Sequence, residues 1–312
     1  MVIAIESAAF TKPVKTFQDL RARAAELGPK RVAVVTADDE VALTAADGAL
    51  RLGIATFVLI GCEQLIRNKA EQLNLHDLLS QAKIVDSSSA AETAVKMARD
   101  GEVDILLKGH LRTDELLGGV LKKEVGLRTG RVLSDVLLYE DTLSGERRLV
   151  GISDGGLNVL PDLKAKKEIL QNAIAVMRTL GFVCPKMAIM SATEAVSPSL
   201  PSTVDAEALT EMCAAGEFGD AEVFGPVALD CALLRSAAEA KGIKFPGAGD
   251  TDCMIVPNIE AGNLLGKAVK YLGGSACAHV VVGALVPILI PSRVESSEDK
   301  INAIALGVIC AR

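Results

Sequence analysis

The sequence predicts an α/β protein built from two doubly wound domains. The core must be aliphatic, because hydrophobic residues make up 50% of the 312 residues and aromatic residues only 3%. Short aliphatic runs alternate with amphipathic segments of helical length, which is the pattern of a parallel sheet covered by helices. The chain is also longer than one hydrophobic core commonly holds. We therefore expect one domain from residues 1–132 with 285–312, and a second from residues 133–284.

In the first domain, β-branched and aliphatic runs bounded by glycine or polar residues predict strands. Segments with apolar residues at helical spacing predict the helices between them. Gly28 is placed to end the first helix, and the acidic residues 38–40 suit the start of the second. Strands are expected at residues 31–36, 55–60, 83–86 and 103–108, and helices at 16–27, 40–52, 63–73 and 87–101.

The pattern changes between residues 128 and 155. Two strand-like runs are separated there only by the polar residues 141–145, which predicts a β-hairpin. We place the crossover between domains near its start. The alternation then resumes, and Gly181 is placed to end a long helix. Strands are expected at 132–140, 147–153, 186–190, 222–229, 252–256, 277–282 and 286–290, and helices at 163–180, 205–215, 232–241, 260–272 and from 296.

Charge and cysteine content argue against several classes of protein. The formal net charge is -7 and no run is rich in lysine or arginine, so nucleic acid and anionic membranes are not expected partners. The seven cysteines include no Cys-x-x-Cys pair, which argues against a disulfide framework and a zinc site and favours the cytoplasm. His279, Gly283 and Pro287 interrupt the longest apolar stretch, residues 276–291, so no membrane helix is expected. Residues 1–10 lack the basic start of a signal peptide.

A phosphate site is predicted where strand 286–290 ends. Ser292 and Arg293 follow this strand directly. The next helix begins at Ser296, with Asp299 in its first turn. Ligands of open α/β sheets bind beyond the carboxyl ends of the strands, where the N-terminus of the following helix favours anions. The alternative is that Ser296 and Asp299 form a capping box and that Arg293 makes a surface ion pair.

A second candidate for anion binding follows strand 103–108. Lys108, Gly109 and His110 end this strand, and Thr113 lies just beyond, at the start of a helix. Lysine binds phosphate as a point charge, and glycine lets the backbone approach a ligand closely. The alternative is an ordinary strand end with a solvated lysine.

Two further segments carry unusual residues. Gly262 and Asn263 both weaken helix propensity, yet they stand at the start of a predicted helix that also contains Lys267. Residues that weaken helix formation at such a position often mark a functional site. Asp250 and Asp252 have oxygen ligands that suit Mg²⁺, although a loop with a capping aspartate explains them equally well.

Together these segments resemble the phosphate acetyltransferase/phosphate butyryltransferase family, and more closely its butyryltransferase branch. Each motif is weak alone, but their order and spacing cover nearly the whole chain. The matching segments are residues 108–113 (KGHLRT), 126–130 (GLRTG), 154–158 (DGGLN), 191–194 (SATE), 225–230 (GPVALD), 247–264 and 286–293.

The resemblance implies a fold and a reaction. The fold is two α/β domains of the isocitrate/isopropylmalate dehydrogenase type, with the active site in the interdomain cleft and usually a homodimer. The reaction is reversible transfer of an acyl group between coenzyme A and inorganic phosphate, with both as substrates and with no metal or redox cofactor. Acyl-CoA and phosphate are then the expected small-molecule partners, and a butyryl, branched or acetyl group is the expected cargo.

The resemblance also implies roles for individual residues. Asp299 would be the general base that takes the proton of the coenzyme A thiol, because the thiolate is the nucleophile and a free thiol has a pKa of about 8.5. Arg293 would hold the acyl phosphate, and Ser292 would donate a hydrogen bond to the thiolate or the developing oxyanion. The residues expected to bind phosphate or substrate are Lys108, Gly109, His110, Thr113, Arg128, Asn158, Asn263 and Lys267.

Three positions depart from the family's usual pattern. Gly118 stands where an arginine is frequent, and Asp135 replaces the histidine of a frequent Ser-His pair. Phe224 replaces the usual aspartate before Gly-Pro. Loss of an arginine is expected to weaken phosphate binding unless a neighbouring arginine, at position 112, 128 or 131, substitutes for it.

These departures leave two alternatives open. The first is an acyl-CoA-binding protein that has lost turnover. The second is a metal- and NAD-dependent decarboxylating dehydrogenase on the same fold, with Asp250 and Asp252 as metal ligands, because one fold hosts many chemistries.

Overall fold

The structure is a computed structural model that describes residues 12–143, 145–292 and 294–311, and it confirms the predicted mixed α/β class. Helices and strands alternate along most of the chain. The elements before residue 134 are α1 (Phe17–Glu26), β1 (Lys30–Val35), α2 (Glu40–Arg51), β2 (Ala55–Gly61), α3 (Glu63–Gln72), α4 (His76–Gln81), β3 (Lys83–Asp86), α5 (Ala90–Arg99), β4 (Ile105–Lys108) and α6 (Thr113–Val120).

The remaining elements begin with the predicted hairpin. They are β5 (Ser134–Asp141), β6 (Arg148–Ser153), α7 (Leu163–Thr179), β7 (Lys186–Met190), α8 (Pro201–Ala214), β8 (Glu222–Val227), α9 (Leu229–Leu233), α10 (Arg235–Ala240), β9 (Cys253–Ile255), α11 (Ile259–Lys267), β10 (Cys277–Val282), β11 (Ile288–Leu289) and α12 (Ser297–Cys310). Within the described residues no helix is both long enough and apolar enough to cross a membrane.

The chain packs into two compact units. The terminal unit combines Gln18–Leu133 with Cys277–Arg312, and the central unit combines Ser134–Ala276 with the described part of Met1–Phe17. We keep the domain ranges 1–132 with 285–312 and 133–284 as a prediction, because compactness alone does not show that either part folds by itself.

The strands of the terminal unit lie side by side in the order β3-β2-β1-β4-β11-β10. All neighbouring strands are parallel except β10 and β11, which are antiparallel. Aliphatic side chains fill both faces of β1 and β4, where residues 32–35 and 105–107 are fully buried. Because the strand order reverses between β1 and β4, their carboxyl ends border the crevice in which doubly wound sheets bind ligands.

A glycine lets the chain pass closely over this crevice. The N–H of Gly109 donates to the carbonyl oxygen of Val35 at 2.9 Å, and that of His110 donates to the carbonyl oxygen of Thr36 at 2.8 Å. A Cβ at Gly109 would lie 2.8 Å from the Val35 oxygen and nearer still to that of Thr36. Glycine is therefore required where β4 ends beside β1.

The strands of the central unit lie side by side in the order β5-β6-β9-β7-β8. Strands β5 and β6 pair antiparallel from Leu137–Ile152 to Asp141–Arg148, which confirms the predicted hairpin. The other neighbours are parallel. The long helix α7 starts at its N-cap Asp162, whose side chain accepts the N–H of Ala165, and it is followed by Gly181 at a φ of 93°.

Several predicted elements differ from those observed. The helix expected at 232–241 is broken at Leu234 into α9 and α10. The carbonyls of Cys231 and Ala232 instead accept the N–H groups of Gly249, at 2.7 Å, and Thr251, at 3.3 Å, so backbone from a distant loop replaces continued helix. Helix α4 was not predicted, and the helix expected at 260–272 changes to a π-helix after Lys267.

The strand expected at 286–290 is reduced to the two residues of β11. Pro287 and Pro291 stand on either side of it, and proline has no backbone N–H to donate to a neighbouring strand. The chain therefore leaves the sheet early and reaches Ser292 as irregular backbone.

Candidate functional site

A cavity of about 590 Å³ lies in the terminal unit, beyond the carboxyl ends of β4 and β11. Three of the predicted site residues, Lys108, Thr113 and Ser292, line this cavity together. The other lining residues are Leu111, Arg112, Asp114, Ile290 and Pro291. The cavity therefore occupies the edge of the sheet at which strand order predicts ligand binding.

The cavity presents groups that suit an anion. Lys108 is only 5% exposed, and its Nζ donates to the carbonyl oxygen of Leu111 at 3.4 Å. Helix α6 begins at Thr113, and the side chain of Arg112 at the N-cap position does not cap the helix. An ammonium, a hydroxyl and the N-terminus of a helix thus face one cavity, which is the usual setting for phosphate or carboxylate.

Arg112 and Asp114 form an ion pair on the wall of this cavity. Nε of Arg112 donates to Oδ1 of Asp114 at 2.9 Å, and Nη2 donates to Oδ2 at 2.7 Å. These bonds raise the pKa of Arg112 and lower the pKa of Asp114. Both side chains are exposed, so this arginine is held by its neighbour but remains accessible from solvent.

The predicted residues Gly109, His110, Arg128 and Asp299 of this unit are not among the residues that line the cavity. His110 is exposed, with Nδ1 3.5 Å from Oδ2 of Asp38. Arg128 is exposed and pairs through its backbone with Ala284. Arg293, the residue expected to hold the acyl phosphate, lies outside the described residues.

Asp299 is buried, at 2% exposure, and forms the capping box at the start of α12. Its Oδ2 accepts the Ser296 hydroxyl at 2.6 Å and the Ser296 N–H at 3.2 Å. Its Oδ1 accepts the N–H of Cys277, the first residue of β10, at 3.0 Å. The capping interpretation is thus confirmed, and the carboxylate is fixed by donors from two elements.

An ion pair between a buried lysine and a half-buried aspartate, which the sequence did not indicate, lies next to Asp299. Lys300 is 3% exposed, and its Nζ donates to Oδ1 of Asp39 at 3.2 Å. Asp39 caps α2 by accepting the N–H of Ala42 at 2.6 Å. Burial alone would raise the pKa of Asp39, but this N–H and the charges of Lys300 and Lys108 hold it below its usual value.

In the central unit, Asn158 lies in a loop organised by Asp154. The Asp154 carboxylate accepts the N–H groups of Gly156 at 2.8 Å, Leu157 at 3.0 Å and Asn158 at 3.2 Å. It also accepts the Asn158 side-chain amide at 2.5 Å. Burial and the charge of Asp135 raise the pKa of Asp154 despite these donors. The loop thus holds Asn158 through a carboxylate whose charged form is disfavoured by burial and by Asp135.

The glycine at the start of α11 has a packing role, whereas the asparagine beside it is exposed. A Cβ at Gly262 would lie 2.6 Å from the Cα of Gly155, so this helix contacts the loop backbone directly. Asn263 is exposed, and its Nδ2 lies 3.4 Å from the carbonyl oxygen of Gly155. Lys267 is exposed, with Nζ 6.0 Å from the centre of the Tyr271 ring. Close packing accounts for the glycine at position 262 without a ligand.

The structure shows what surrounds the three positions that depart from the family's usual pattern. No atom lies within 4 Å of a Cβ built at Gly118, on α6. Asp135 is 3% exposed, and its Oδ2 lies 3.0 Å from a Cβ built at Gly156. Phe224 is 1% exposed and packs on Phe245 with ring centres 5.6 Å apart. An apolar cluster therefore occupies the position of the usual aspartate.

The proposed metal ligands Asp250 and Asp252 are engaged by basic groups. Asp250 accepts Arg148 Nη1 at 2.9 Å and the Lys186 ammonium, and Arg235 lies 3.8 Å away. Asp252 accepts the Lys186 N–H at 2.8 Å, and burial raises its pKa to about 6. Cations already surround Asp250, so the metal-dependent dehydrogenase is not favoured.

A different acidic cluster lies on the central unit. Glu194, Asp230 and Cys231 place one potential ligand atom each within 4.8 Å of one another. Nζ of Lys241 lies 3.2 Å from Glu194 and 3.0 Å from Asp230. The lysine ammonium therefore occupies the position between the two carboxylates, and their hydrogen bonds raise its pKa.

Comparison with known proteins identifies one group of relatives. Residues 80–308 match the family described as Phosphate acetyl/butaryl transferase. The chain is 37% identical over 300 residues to a phosphate butyryltransferase from Clostridium beijerinckii, covering 95% of this chain and 98% of that protein. It is 38% identical over 276 residues to a phosphate acetyltransferase from Rhizobium meliloti, covering 88% and 86%.

Solved structures show the same fold. A branched-chain phosphotransacylase from Enterococcus faecalis superposes with a TM-score of 0.79 at 29% identity, covering 90% of this chain and 98% of that one. A phosphotransacetylase from Streptococcus pyogenes gives a TM-score of 0.77 at 17% identity, covering 94% and 98%.

Proposed function

Because this chain belongs to the phosphate acetyl/butyryl transferase family, we propose that it is a phosphate acyltransferase, which moves a short-chain acyl group between coenzyme A and inorganic phosphate. One observation carries this proposal. The family match extends over residues 80–308, which include the cavity residues and the N-terminus of α12. The cavity with Lys108, Thr113 and Ser292 offers cationic and hydroxyl groups to an anionic substrate.

In the proposed reaction, the thiol of coenzyme A attacks the carbonyl carbon of an acyl phosphate. Asp299 takes the thiol proton, the carbon–sulfur bond forms, and phosphate leaves with the electron pair of the carbon–oxygen bond. In reverse, a phosphate oxygen attacks the thioester and the thiolate leaves. A fixed carboxylate and preorganised donors lower the barrier by proton removal and by stabilising charge in the transition state.

The roles of the other residues are part of the proposal. Arg293 and Lys108 neutralise the phosphate, and Ser292 donates to the thiolate or the oxyanion. Gly109, His110 and Thr113 belong to the part of the site that binds phosphate. We assign the remaining contacts with substrate to Arg128, Asn158, Asn263 and Lys267.

We further propose a homodimer in the cytoplasm, with the isocitrate dehydrogenase-like arrangement of two domains. Coenzyme A and phosphate act as substrates, and we expect activity without added metal or redox cofactor. A butyryl, branched or acetyl group is the proposed cargo. A pocket distinguishes substrates that differ by one methylene by only about 1–3 kcal/mol, so several short acyl groups are expected to react.

The test is thiol release from acetyl-CoA, butyryl-CoA and isobutyryl-CoA, measured with and without inorganic phosphate. We expect release that depends on phosphate and produces acyl phosphate, which hydroxylamine traps. Release that is independent of phosphate, or none with any of the three, would refute the proposal. If no thiol is released, calorimetry with coenzyme A tests the alternative that the protein binds coenzyme A without turnover.

A matched pair of variants tests the cavity. Lys108→Met removes the buried ammonium and keeps the aliphatic stem, and we expect the KM for phosphate to rise about ten-fold or more. Lys122→Met is the control, because Lys122 is an exposed lysine of the same unit, paired with Glu92 at 2.6 Å. If both substitutions changed the KM for phosphate equally, Lys108 would not belong to the phosphate site.

A further inference from the structure

The first turn of α12 is held on two sides within the terminal unit. On one side, Nζ of Lys300 donates to Asp39 at the start of α2. On the other side, Arg21 of α1 lies 2.9 Å from Glu298 and donates through Nε to Asn302 at 2.7 Å. Asp299 stands between these anchored residues, so its position depends on where the turn is held.

The two anchors differ in their surroundings. The Lys300 side chain is 4% exposed and that of Asp39 is 23% exposed, whereas the Glu298 side chain is 71% exposed. Exposed ion pairs contribute little because solvent screens them, but removing one partner of a buried pair leaves an uncompensated charge. The Asp39–Lys300 pair is therefore the stronger of the two ion pairs.

We propose that Asp39 is a positioning residue, which holds the catalytic carboxylate of Asp299 in place through Lys300. The inference rests on the proposed function only in naming Asp299 as the base. Lys300 directly follows Asp299 in α12, so a shift of the lysine moves the backbone of the aspartate. A displacement of about 1 Å at a reacting group can lower a rate by about 10²-fold.

One backbone amide reports the position of Asp299 without any assay of activity. The N–H of Cys277 donates to Oδ1 of Asp299 at 3.0 Å. If the aspartate moves, this amide loses its acceptor and exchanges with solvent faster. The N–H of Leu106, which donates to the carbonyl oxygen of Pro287 at 3.1 Å, serves as an internal reference for the sheet of the same unit.

The principal variant is Asp39→Asn. Asparagine is as good an N-cap as aspartate, so α2 keeps its cap while Lys300 loses its charged partner. The control is Asp162→Asn, since Asp162 caps α7 by accepting the N–H of Ala165 at 2.8 Å. We expect exchange at Cys277 to become about ten-fold faster relative to Leu106 in Asp39→Asn, and to stay unchanged in Asp162→Asn.

The double variant Asp39→Asn/Lys300→Met separates positioning from stability. The single variant leaves a buried ammonium without its carboxylate, whereas the double variant removes both charges, so its melting temperature should recover. We expect fast exchange at Cys277 to persist in the double variant, because the Asp39–Lys300 pair no longer holds its side of the turn. If the double variant recovered both the melting temperature and slow exchange at Cys277, the role of Asp39 would be structural only. That result would overturn the inference.

Kinetics provide the second readout. We expect Asp39→Asn to lower kcat about ten-fold while the KM values for acyl-CoA and phosphate change less than two-fold, because the base and not the binding groups is displaced. Failure of the wild-type protein to turn over any acyl-CoA would refute the proposed function and leave the exchange result to decide the positioning role. Unchanged exchange at Cys277 in Asp39→Asn would refute that role whatever the activity.

Discussion

Gly262 packs directly on Gly155, since a Cβ at position 262 would lie 2.6 Å from the Cα of Gly155. It would also lie 2.8 Å from Cγ2 of Val256 and 3.0 Å from the carbonyl oxygen of Asp154. Backbone cannot move aside as a flexible side chain can. The start of α11 and the loop that carries Asn158 are thus fitted to one another within the central unit.

Gly262→Ala should therefore destabilise the protein although alanine is the better helix former. We expect a loss of about 1–3 kcal/mol in the free energy of unfolding, measured in urea. Gly118→Ala is the control, because that position on α6 has nothing within 4 Å of its Cβ. It should gain about 0.5–1 kcal/mol from helix propensity alone. A neutral Gly262→Ala variant would contradict the close packing.

Asp252→Asn should change how stability depends on pH. Burial raises the pKa of Asp252 from its ordinary value of 3.8 to about 6, so the folded state binds this proton more tightly than the unfolded state. The wild-type protein therefore loses stability from this group as pH rises from about 4 to about 6, by at most roughly 3 kcal/mol. Asparagine removes that loss.

Urea unfolding at pH 4.5, 5.5 and 7 measures this effect. The stability of Asp252→Asn minus that of the wild type should increase with pH and level off above pH 6. The amide oxygen of the asparagine introduced at position 252 can still accept the N–H of Lys186, so this hydrogen bond is kept. A difference that is constant across the range would contradict the raised pKa.

Asp135→Asn should lower the pKa of Asp154. Burial is the first cause of the raised pKa of Asp154, and the neighbouring charge of Asp135 is the second. Substitution removes only the second cause, so the pKa should fall but stay above that of an exposed aspartate. The measurement is an NMR titration of the Asp154 carboxyl carbon in both proteins. An unchanged titration would show that the two carboxyl groups do not interact.

Gly118→Arg tests the departure at position 118. The space around the Cβ accommodates a side chain, and arginine has a higher helix propensity than glycine, so the fold should be retained or slightly stabilised. If this position faces the phosphate, as the family pattern implies, the KM for phosphate should fall several-fold because a guanidinium binds phosphate in bidentate fashion. Gly118→Gln has similar length without charge and should leave that KM unchanged.

Much of the architecture could be predicted because the signals were local. Aliphatic runs gave the strands, and the polar residues 141–145 between two such runs indicated the hairpin that β5 and β6 form. Ser296 and Asp299 stand at the spacing of a capping box, which the structure contains. These features depend on residues close together in sequence.

What could not be predicted depends on distant parts of the chain. The break at Leu234 arises because a loop near Gly249 supplies donors to Cys231 and Ala232. The pairing of Asp39 with Lys300 joins residues far apart in sequence, and neither position carries a motif. The weak helix formers Gly262 and Asn263 indicated a site, whereas tertiary packing on Gly155 explains the glycine.

The lysine between Glu194 and Asp230 has a consequence for the chain in a cell that contains free zinc or manganese. Two carboxylates beside a thiol would attract such ions, but the ammonium of Lys241 already provides the positive charge there. Unlike a bound ion, it cannot be removed by a chelator or lost by dilution. The counterion of the two carboxylates is therefore part of the chain itself.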